Sequence, residues 1–407
     1  MPLRGILFDL AGPLILGDDG KQQNDAETMI AECNKRGLIV GAMSGRSRSL
    51  STRALAKSGL VVDSLHCTGD SGCDKNKGSG DLVAAFCADN SLQPHEIVVV
   101  ADEKFGMVEA LNGKAFGFFA TGQYTWGIKV DSHQEILEYI DVFFMKNALW
   151  YAKYDGFDAK GNAVTLRCLI DGNGAGSQLI KTAIIKTLKE REEPLIYGSI
   201  SFPKFLMMHL IASMYLEGPL SRERRQFLWE IYPGHKPESE PSPIVNAVLS
   251  GFKIFRSKGD NAIERWRLAL QSSKARRGDD RGQVKFANQI SSIKLGRKSK
   301  ASGKRVNIVD DFCTEGFSLE AARHLFNAAE AEEINLFAFG KYGPRFAVQT
   351  AEKATVVRPH DELTYADDAF KTKIVAVDIN EAALPEFQES LKRLRGSSIA
   401  GKLLAGA

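Results

Sequence analysis

The chain has 407 residues, of which 44% are apolar and 25% are charged, and its formal net charge is only +3. These proportions are ordinary for a globular protein, and the length exceeds what one compact core usually holds, so we expect two or three domains. The small net charge does not by itself indicate nucleic-acid binding, and no apolar run is long enough for a membrane span or a signal-peptide core. The six cysteines contain no C-x-x-C pair, so they indicate neither a disulfide framework nor a structural metal site. We therefore expect a cytoplasmic protein with no membrane partner.

Strands alternate with helices in the first part of the chain. The apolar pattern predicts strands at residues 5–9, 38–43 and 97–101, and a helix at 25–35. This alternation is typical of a parallel doubly wound sheet, in which ligands bind at the carboxyl ends of the strands. The polar residues that follow the three predicted strands are Asp9, Ser44 and Asp102. The sequence therefore predicts a polar site at one edge of this sheet.

These strand ends resemble the haloacid dehalogenase-like phosphatases. That family has a nucleophilic Asp in a D-x-D-G-T loop, a strand-end Ser or Thr, a Lys, and a G-D-x-x-x-D metal motif. The counterparts in this chain are Asp9 in D-L-A-G-P, Ser44, Lys77 in K-G-S-G-D, and Asp102 in A-D-E-K-F-G. The resemblance covers about the first 125 residues and implies a Rossmann-like fold with Asp9 and Asp102 as ligands of Mg²⁺.

Two positions depart from that family's pattern. Ala11 stands where the general acid/base would be, and losing such a group typically lowers a rate by about 10² to 10⁴-fold. Gly106 stands where the second metal-binding Asp would be. We therefore expect a degenerate phosphatase-like site on a scaffold or binding module. The alternative of a working two-site enzyme would require Asp9 to act without an adjacent acid.

The middle of the chain, residues 131–224, gives mixed signals. A strand is predicted at 163–170, and helices are predicted at 177–190 and 203–216. We expect a mixed α/β or helical region that connects two domains.

The clearest functional pattern lies at residues 306–319, which read V-N-I-V-D-D-F-C-T-E-G-F-S-L. An apolar strand delivers Asp310 and Asp311 to its carboxyl end, a short loop follows, and a helix begins. Backbone N–H groups in such a loop form an anion site together with the helix N-terminus, and small residues let a phosphate approach closely. The carboxylate pair can accept hydrogen bonds from the vicinal hydroxyls of a ribose. The structural alternative is a Rossmann-like strand end whose acids cap the next helix.

This string resembles the signature of type I phosphoribosyltransferases, which consists of a strand, two acidic residues and a T-T-G-x-T-like phosphate loop. The resemblance implies that Asp310 and Asp311 contact the ribose hydroxyls, act as catalytic residues and bind Mg²⁺. The residues that it assigns to the 5′-phosphate of phosphoribosyl pyrophosphate (PRPP) are Cys313, Thr314, Glu315, Gly316 and Ser318. Glu315 departs from the usual small or hydroxyl residue, and we expect it to face solvent because an inward carboxylate would repel the phosphate.

Two flanking segments agree with this resemblance. An apolar run at 228–232 precedes a Pro-Gly-His-Lys-Pro turn, in which His235 and Lys236 are candidates to bind pyrophosphate. A basic stretch lies where the family has a mobile loop that closes over the reaction, and its candidate residues are Lys274 for substrate binding and Arg276 and Arg281 for catalysis. A solvated basic loop is the alternative for this stretch. A strand predicted at 334–339 ends in G-K-Y-G, as in the competence-type and defence-associated branches of the family.

The predicted fold class is α/β, with two doubly wound parallel-sheet (Rossmann-like) domains. Residues 1–130 are expected to be haloacid dehalogenase-like, residues 225–407 phosphoribosyltransferase-like, and residues 131–224 a connecting region. The resemblance implies a PRPP-dependent phosphoribosyltransferase that uses Mg²⁺ and releases pyrophosphate, with an unknown acceptor and an inactive phosphatase-like domain. The alternative is a catalytically relaxed PRPP- or nucleotide-sensing subunit. Similar fusions occur beside bacterial defence and stress systems such as retrons, which implies a protein or nucleoprotein partner, and a homo-oligomer is a further expectation.

Overall fold

The computed structural model describes most of the chain. The described residues are 3–16, 21–23, 25–73, 77–119, 127–173, 196–197, 200–218, 227–237, 258–259, 262–269 and 286–400. The predicted helix at 177–190 and the candidate residues Lys274, Arg276 and Arg281 lie outside them. No helix within these ranges combines the length and the apolar character needed to cross a membrane.

The first part of the chain contains eight short strands and five helices among its described residues. In chain order they are β1 (Gly5–Asp9), β2 (Ile15–Leu16), β3 (Lys21–Gln22), α1 (Ala26–Lys35), β4 (Ile39–Ser44), α2 (Arg48–Ser58), β5 (Ser64–Cys67), α3 (Asp81–Asp89), β6 (Ile97–Ala101), α4 (Lys104–Asn112), β7 (Phe116–Phe119), β8 (Ile128–Lys129) and α5 (His133–Tyr139). A turn of π-helix, Ile140–Phe144, follows α5.

Six of these strands form a parallel sheet in the order β5-β4-β1-β6-β7-β8. The central strand β1 is buried on both faces, since Ile6 and Phe8 pack in one cluster with α1 and α5 and Leu7 packs in another with α3 and α4. Helices therefore cover both faces, which is the doubly wound arrangement that the sequence predicts. The carboxyl ends of β1, β4 and β6 meet at one edge.

The rest of the chain contains, among its described residues, a second large sheet and three two-stranded sheets. The elements of this part are β9 (Ala152–Phe157), β10 (Ala163–Asp171), β11 (Ile196–Tyr197), β12 (Ile200–Ser201), α6 (Phe202–Glu217), β13 (Phe227–Ile231), β14 (Lys258–Gly259), β15 (Ile263–Arg265), α7 (Phe286–Ile290), β16 (Ile293–Leu295), β17 (Arg305–Cys313), α8 (Phe317–Ala328), β18 (Glu333–Lys341), β19 (Arg345–Ala351), β20 (Phe370–Ala376), β21 (Asp378–Ile379) and α9 (Ala383–Arg395). The two-stranded sheets are β11-β12, β15-β16 and β19-β20.

The second sheet is mixed, and the prediction of a wholly parallel sheet for this half is corrected here. The strand order is β14-β13-β17-β18-β10-β9-β21; the first five strands are parallel, while β9 and β21 run antiparallel to their neighbours. The physical reason is the short connection between β9 and β10, in which Asp158 N–H donates to Asn162 O over 3.0 Å. A connection this short can join only antiparallel neighbours, because a parallel pair needs a long crossover.

Helix α6 lies between the two sheets. Apolar residues cover all its sides, which is typical of a helix buried all round. The Tyr215 hydroxyl accepts a hydrogen bond from the amide of Phe116 in the first sheet (2.9 Å), and Glu217 accepts from Trp150 Nε1 (2.8 Å) and from Arg167 Nε of the second sheet (2.7 Å). Strands β9 and β10, which fall in the predicted connecting region, belong to the second sheet. The division of the chain at residues 130 and 224 stays a prediction.

Candidate functional sites

The first sheet brings Asp9 and Lys77 together at its carboxyl edge. Asp9 ends β1 and is buried, and its Oδ2 accepts a hydrogen bond from Lys77 Nζ. Lys77 also donates to Glu103 Oε1 over 3.1 Å. Burial raises the pKa of Asp9 to about 7, although the charge of Lys77 acts in the opposite direction. The site therefore holds a buried carboxyl group with a cation directly beside it.

Asp102 lies beside the loop that follows Asp9. A Cβ on Gly12 would stand only 1.8 Å from Oδ2 of Asp102, so the carboxylate packs directly against this glycine, whose φ of +86° is also unfavourable for other residues. Asp102 is one of the neighbouring charges that raise the pKa of Asp9. Burial raises the pKa of Asp102 as well. The two predicted metal ligands therefore face the same space.

Ser44 ends β4 at the same edge. It is buried, and its Oγ accepts a hydrogen bond from the amide of Arg46 over 3.1 Å. The neighbouring Gly45 borders the stem of Lys77, because a Cβ on Gly45 would stand 3.5 Å from Lys77 Cδ. All four residues of the predicted phosphatase-like site thus lie at one edge of the sheet.

Glu109, which was not among the predicted site residues, positions the segment that carries Lys77. Glu109 is fully buried on α4 and accepts hydrogen bonds from the amides of Gly78 (2.6 Å) and Leu82 (2.7 Å). Glutamate in a helix usually faces solvent, and no local pattern distinguishes this one. Glu103, which contacts Lys77, stands next to Asp102 in the A-D-E-K-F-G motif but was not among the predicted site residues.

The second candidate site begins at the end of β17. The strand continues through Asp310 and Asp311 to Cys313, further than the apolar run alone indicates. Both aspartates are half-buried, and burial together with the neighbouring charge of Asp311 raises the pKa of Asp310 well above its usual value. The two neighbouring carboxylates therefore disfavour each other's charged form, which a bound cation would relieve.

A loop of backbone amides follows the aspartates. We call residues 314–318 the cradle. Within the described residues, no amide of the cradle has a hydrogen-bond acceptor, and Gly316, the N-cap of α8, has no side chain to cap the helix. Gly316 is required for two reasons: its φ is +83°, and a Cβ would stand 2.2 Å from Phe346 Cε2. Unpaired amides at the start of a 12-residue helix form an anion site.

The side chains of the cradle differ in exposure. Thr314 is exposed, Glu315 and Ser318 are half-buried, and Cys313 just before the cradle is buried. Glu315 therefore does not project fully into solvent as expected. Its backbone carbonyl accepts a hydrogen bond from the amide of Ala347 at 2.8 Å.

The turn after β13 lies beside the aspartate pair. Strands β13 and β17 are parallel neighbours, and the amide of Tyr232 donates to the carbonyl of Val309 over 2.9 Å. His235 is half-buried and Lys236 is exposed. Burial raises the pKa of Tyr232, and the charges of Arg265 and Asp310 act on it in opposite directions. The turn and the cradle therefore occupy the same edge of the second sheet.

Carboxylates are the candidate metal ligands of both sites. Among the described residues, no group of three or more His, Cys, Asp or Glu side chains could hold a metal ion. Each site instead has a carboxylate pair, Asp9 with Asp102 and Asp310 with Asp311. Because Mg²⁺ sites often use one or two carboxylates together with waters and substrate phosphates, both pairs fit Mg²⁺.

No family model matches the sequence, and no curated protein matches it. Solved structures similar to its N-terminal part include a dehalogenase, at 18% identity and a TM-score of 0.26 over 29% of this chain and 57% of that chain. A HAD-superfamily hydrolase of subfamily IA from Geobacter sulfurreducens matches at 13% identity and a TM-score of 0.26 over 29% of this chain and 56% of that one. The cobalt-bound deoxy-D-mannose-octulosonate 8-phosphate phosphatase from Haemophilus influenzae matches at 12% identity and a TM-score of 0.23, over 29% and 68%. The chain spans little more than half the length of the first two.

Proposed function

We propose that the second sheet binds PRPP and transfers its phosphoribosyl group to an acceptor, with release of pyrophosphate. The observation that carries this proposal is the cradle, whose amides lack acceptors among the described residues and directly follow Asp310 and Asp311. An anion site beside a carboxylate pair suits a phosphorylated sugar, because the amides bind the 5′-phosphate while the carboxylates accept hydrogen bonds from ribose hydroxyls.

The pyrophosphate of PRPP is assigned to the turn after β13. His235 and Lys236 follow Tyr232, whose amide donates to the carbonyl of Val309 just before the aspartate pair, and they can offer N–H groups and a cation to the pyrophosphate. In this proposal, Lys274, Arg276 and Arg281 close over the reaction, a role that rests on the family resemblance. Closing such a loop would exclude water and suppress hydrolysis of PRPP.

The reaction needs little covalent chemistry from the protein. The bond from ribose C1 to the pyrophosphate oxygen breaks, and its electron pair leaves with pyrophosphate. The acceptor forms a new bond to C1 and loses a proton to solvent. Catalysis is then mainly positioning and electrostatic stabilisation of the charge that develops on the ribose and on pyrophosphate. Mg²⁺, held by Asp310 and Asp311, would supply positive charge to the departing pyrophosphate.

We infer that the first sheet is a haloacid dehalogenase-like domain that has lost efficient phosphatase chemistry. Its strand order and the position of Asp9, Ser44 and Asp102 at the ends of β1, β4 and β6 support the family assignment. Ala11 supplies no acid to protonate a leaving group, which supports the loss of activity. A binding or scaffolding role remains for this domain.

A second candidate function is a PRPP- or nucleotide-sensing subunit that binds without turnover, within a defence or stress complex. Glu315 favours it, because a carboxylate in the cradle weakens the attraction for a phosphate. Both candidate functions, the transferase and the sensing subunit, use the cradle as the phosphate site.

Pyrophosphate release separates the two candidates. The protein is incubated with PRPP, Mg²⁺ and a panel of purine, pyrimidine and amine acceptors, and pyrophosphate is quantified. The matched control is Asp310→Asn/Asp311→Asn. Acceptor-dependent release that the control lacks supports the transferase, whereas PRPP binding without release by any acceptor supports the sensing subunit.

A further inference from the structure

Lys341 is a buried lysine whose ammonium group binds four backbone carbonyl oxygens. It is the last residue of β18, and none of its surface is exposed. Its Nζ donates to the carbonyl oxygens of Thr314 (2.6 Å), Gly343 (2.8 Å), Arg345 (2.9 Å) and Tyr342 (3.0 Å). Three N–H groups are therefore shared among four acceptors.

The charge of Lys341 is balanced by dipoles. Among the described residues, no carboxylate forms an ion pair with it. A buried ammonium is costly unless it is well hydrogen-bonded, and these carbonyls provide that hydrogen bonding. An apolar residue at this position would avoid the free-energy cost of burying a charge. The presence of a lysine therefore indicates a specific role for its ammonium group.

The four carbonyls belong to two segments that meet at the cradle. Thr314 is the first residue of the cradle, and the other three carbonyls lie where β18 turns into β19. The same two segments are joined by hydrogen bonds from Tyr342 N–H to Cys313 O (2.9 Å) and from Ala347 N–H to Glu315 O (2.8 Å).

These bonds fix the direction of the cradle amides. A trans peptide is planar, so the N–H of each residue points opposite to the carbonyl of the residue before it. The carbonyls of Cys313, Thr314 and Glu315 are all tied to the segment after β18 or to Lys341. The amides of Thr314, Glu315 and Gly316 must then point away from that segment.

We propose that Lys341 is a positioning residue that holds the cradle in its anion-binding conformation before the ligand arrives. Its ammonium turns the Thr314 peptide so that the Glu315 amide is presented to the phosphate, and its buried charge adds to the attraction for an anion. This inference rests on the proposed function, because the ligand is the 5′-phosphate of PRPP.

The first test replaces Lys341 with methionine, which has a similar length and no charge. The control is Lys373→Met, which removes the same charge from an exposed position in β20. Amide hydrogen exchange is followed in the peptide that contains Tyr342 and Ala347, and affinities for PRPP and ribose 5-phosphate are measured with Mg²⁺. We expect Lys341→Met to speed that exchange and to weaken both ligands by about tenfold or more, which corresponds to one lost charge-assisted hydrogen bond, and Lys373→Met to change neither.

The second test separates positioning from general stability. Propylammonium supplies the three carbons and the ammonium that Lys341→Ala lacks. We expect it to restore ligand affinity and slow exchange in Lys341→Ala, and we expect tetramethylammonium at the same concentration to do neither, because it has no N–H donor. If Lys341→Met does not fold, Lys341→Ala is kept in propylammonium, and the loss of ligand affinity on removing propylammonium tests the positioning role.

Unchanged exchange in Lys341→Met overturns the inference whether or not PRPP binds. Faster exchange with unchanged ligand affinity also overturns it, because the hydrogen bonds of Lys341 would then join the two segments without affecting ligand binding. If the parent protein binds neither PRPP nor ribose 5-phosphate, the proposed function fails and this role of Lys341 fails with it, while the exchange experiment still shows whether Lys341 joins the two segments.

Discussion

Oδ2 of Asp9 lies 2.8 Å from the point at which a Cβ on Gly106 would stand. The same point lies only 2.6 Å from the Cβ of Ala101. Real Cβ atoms do not approach carboxylate oxygens or methyl groups this closely, so any side chain at position 106 must displace Asp9 or bend the first turn of α4. The packing of this site therefore requires the glycine that stands in place of the second metal-binding carboxylate.

Gly106→Asp is predicted to destabilise the protein without restoring phosphatase activity. We expect a loss of about 1–3 kcal/mol, as for other overpacked sites, measured by chemical unfolding. Hydrolysis of p-nitrophenyl phosphate with Mg²⁺ should stay at background. Ala11→Asp is the control for stability alone, because position 11 is exposed and accepts a side chain, and we expect no loss there. A Gly106→Asp protein that is as stable as the parent and hydrolyses phosphate in a Mg²⁺-dependent manner would refute this view of the site.

Lys146 is predicted to make stability depend on pH. It is buried, with Nζ donating to Ser213 Oγ (2.6 Å) and His209 O (3.2 Å), and burial lowers its pKa to about 7 from an unfolded value of 10.5. Between these pH values the unfolded chain binds more protons than the folded protein does, so the free energy of unfolding rises with pH across this window.

Lys146→Met removes this dependence. We expect it to stabilise the protein by about 1–4 kcal/mol at pH 7 and the advantage to shrink as the pH approaches 10. Urea unfolding at several pH values between 7 and 10 measures the difference. A difference between parent and variant that does not change with pH shows that Lys146 has a normal pKa in the folded protein.

Tyr215 is predicted to couple α6 to the first sheet. Its hydroxyl lies 2.6 Å from the carbonyl oxygen of Ile97 and 2.9 Å from the amide of Phe116, both buried. Tyr215→Phe leaves these groups without their partner, so we expect a loss of about 1–3 kcal/mol in unfolding free energy. Tyr365→Phe serves as the control, because among the described residues its hydroxyl has one long contact, 3.4 Å from the amide of Arg358. Equal losses in the two variants would argue against the coupling.

The features that could be predicted from the sequence are those encoded within a few residues. Strands β1 and β6 begin and end where their apolar runs do, because a strand buried on both faces of a parallel sheet is continuously apolar. The pairing of β10 with β18 could not be predicted, since it joins Thr165 to Asn335, which are 170 residues apart in the chain.

Other parts of the candidate sites could not be predicted because they depend on contacts between distant segments. The sequence places the run Gly-Lys-Tyr-Gly directly after the strand predicted at 334–339, and only the tertiary structure shows that Lys341 is buried among carbonyl oxygens. Asp310 and Asp311 could be placed near the end of a strand from the sequence, because they directly follow an apolar run; their role in binding stays a prediction. The mixed character of the second sheet also depends on β21, whose antiparallel pairing with β9 joins Ile379 to Ala152, which are 227 residues apart in the chain.

Calorimetric titration of PRPP with Mg²⁺ into the parent protein and into Asp310→Asn/Asp311→Asn tests the central claim most directly. We predict saturable binding to the parent and a loss of about tenfold or more in affinity in the variant, because each ribose hydroxyl loses a charged acceptor. Equal affinity in both proteins would contradict the assignment of the site to the end of β17, and absence of binding to the parent would contradict the proposed function.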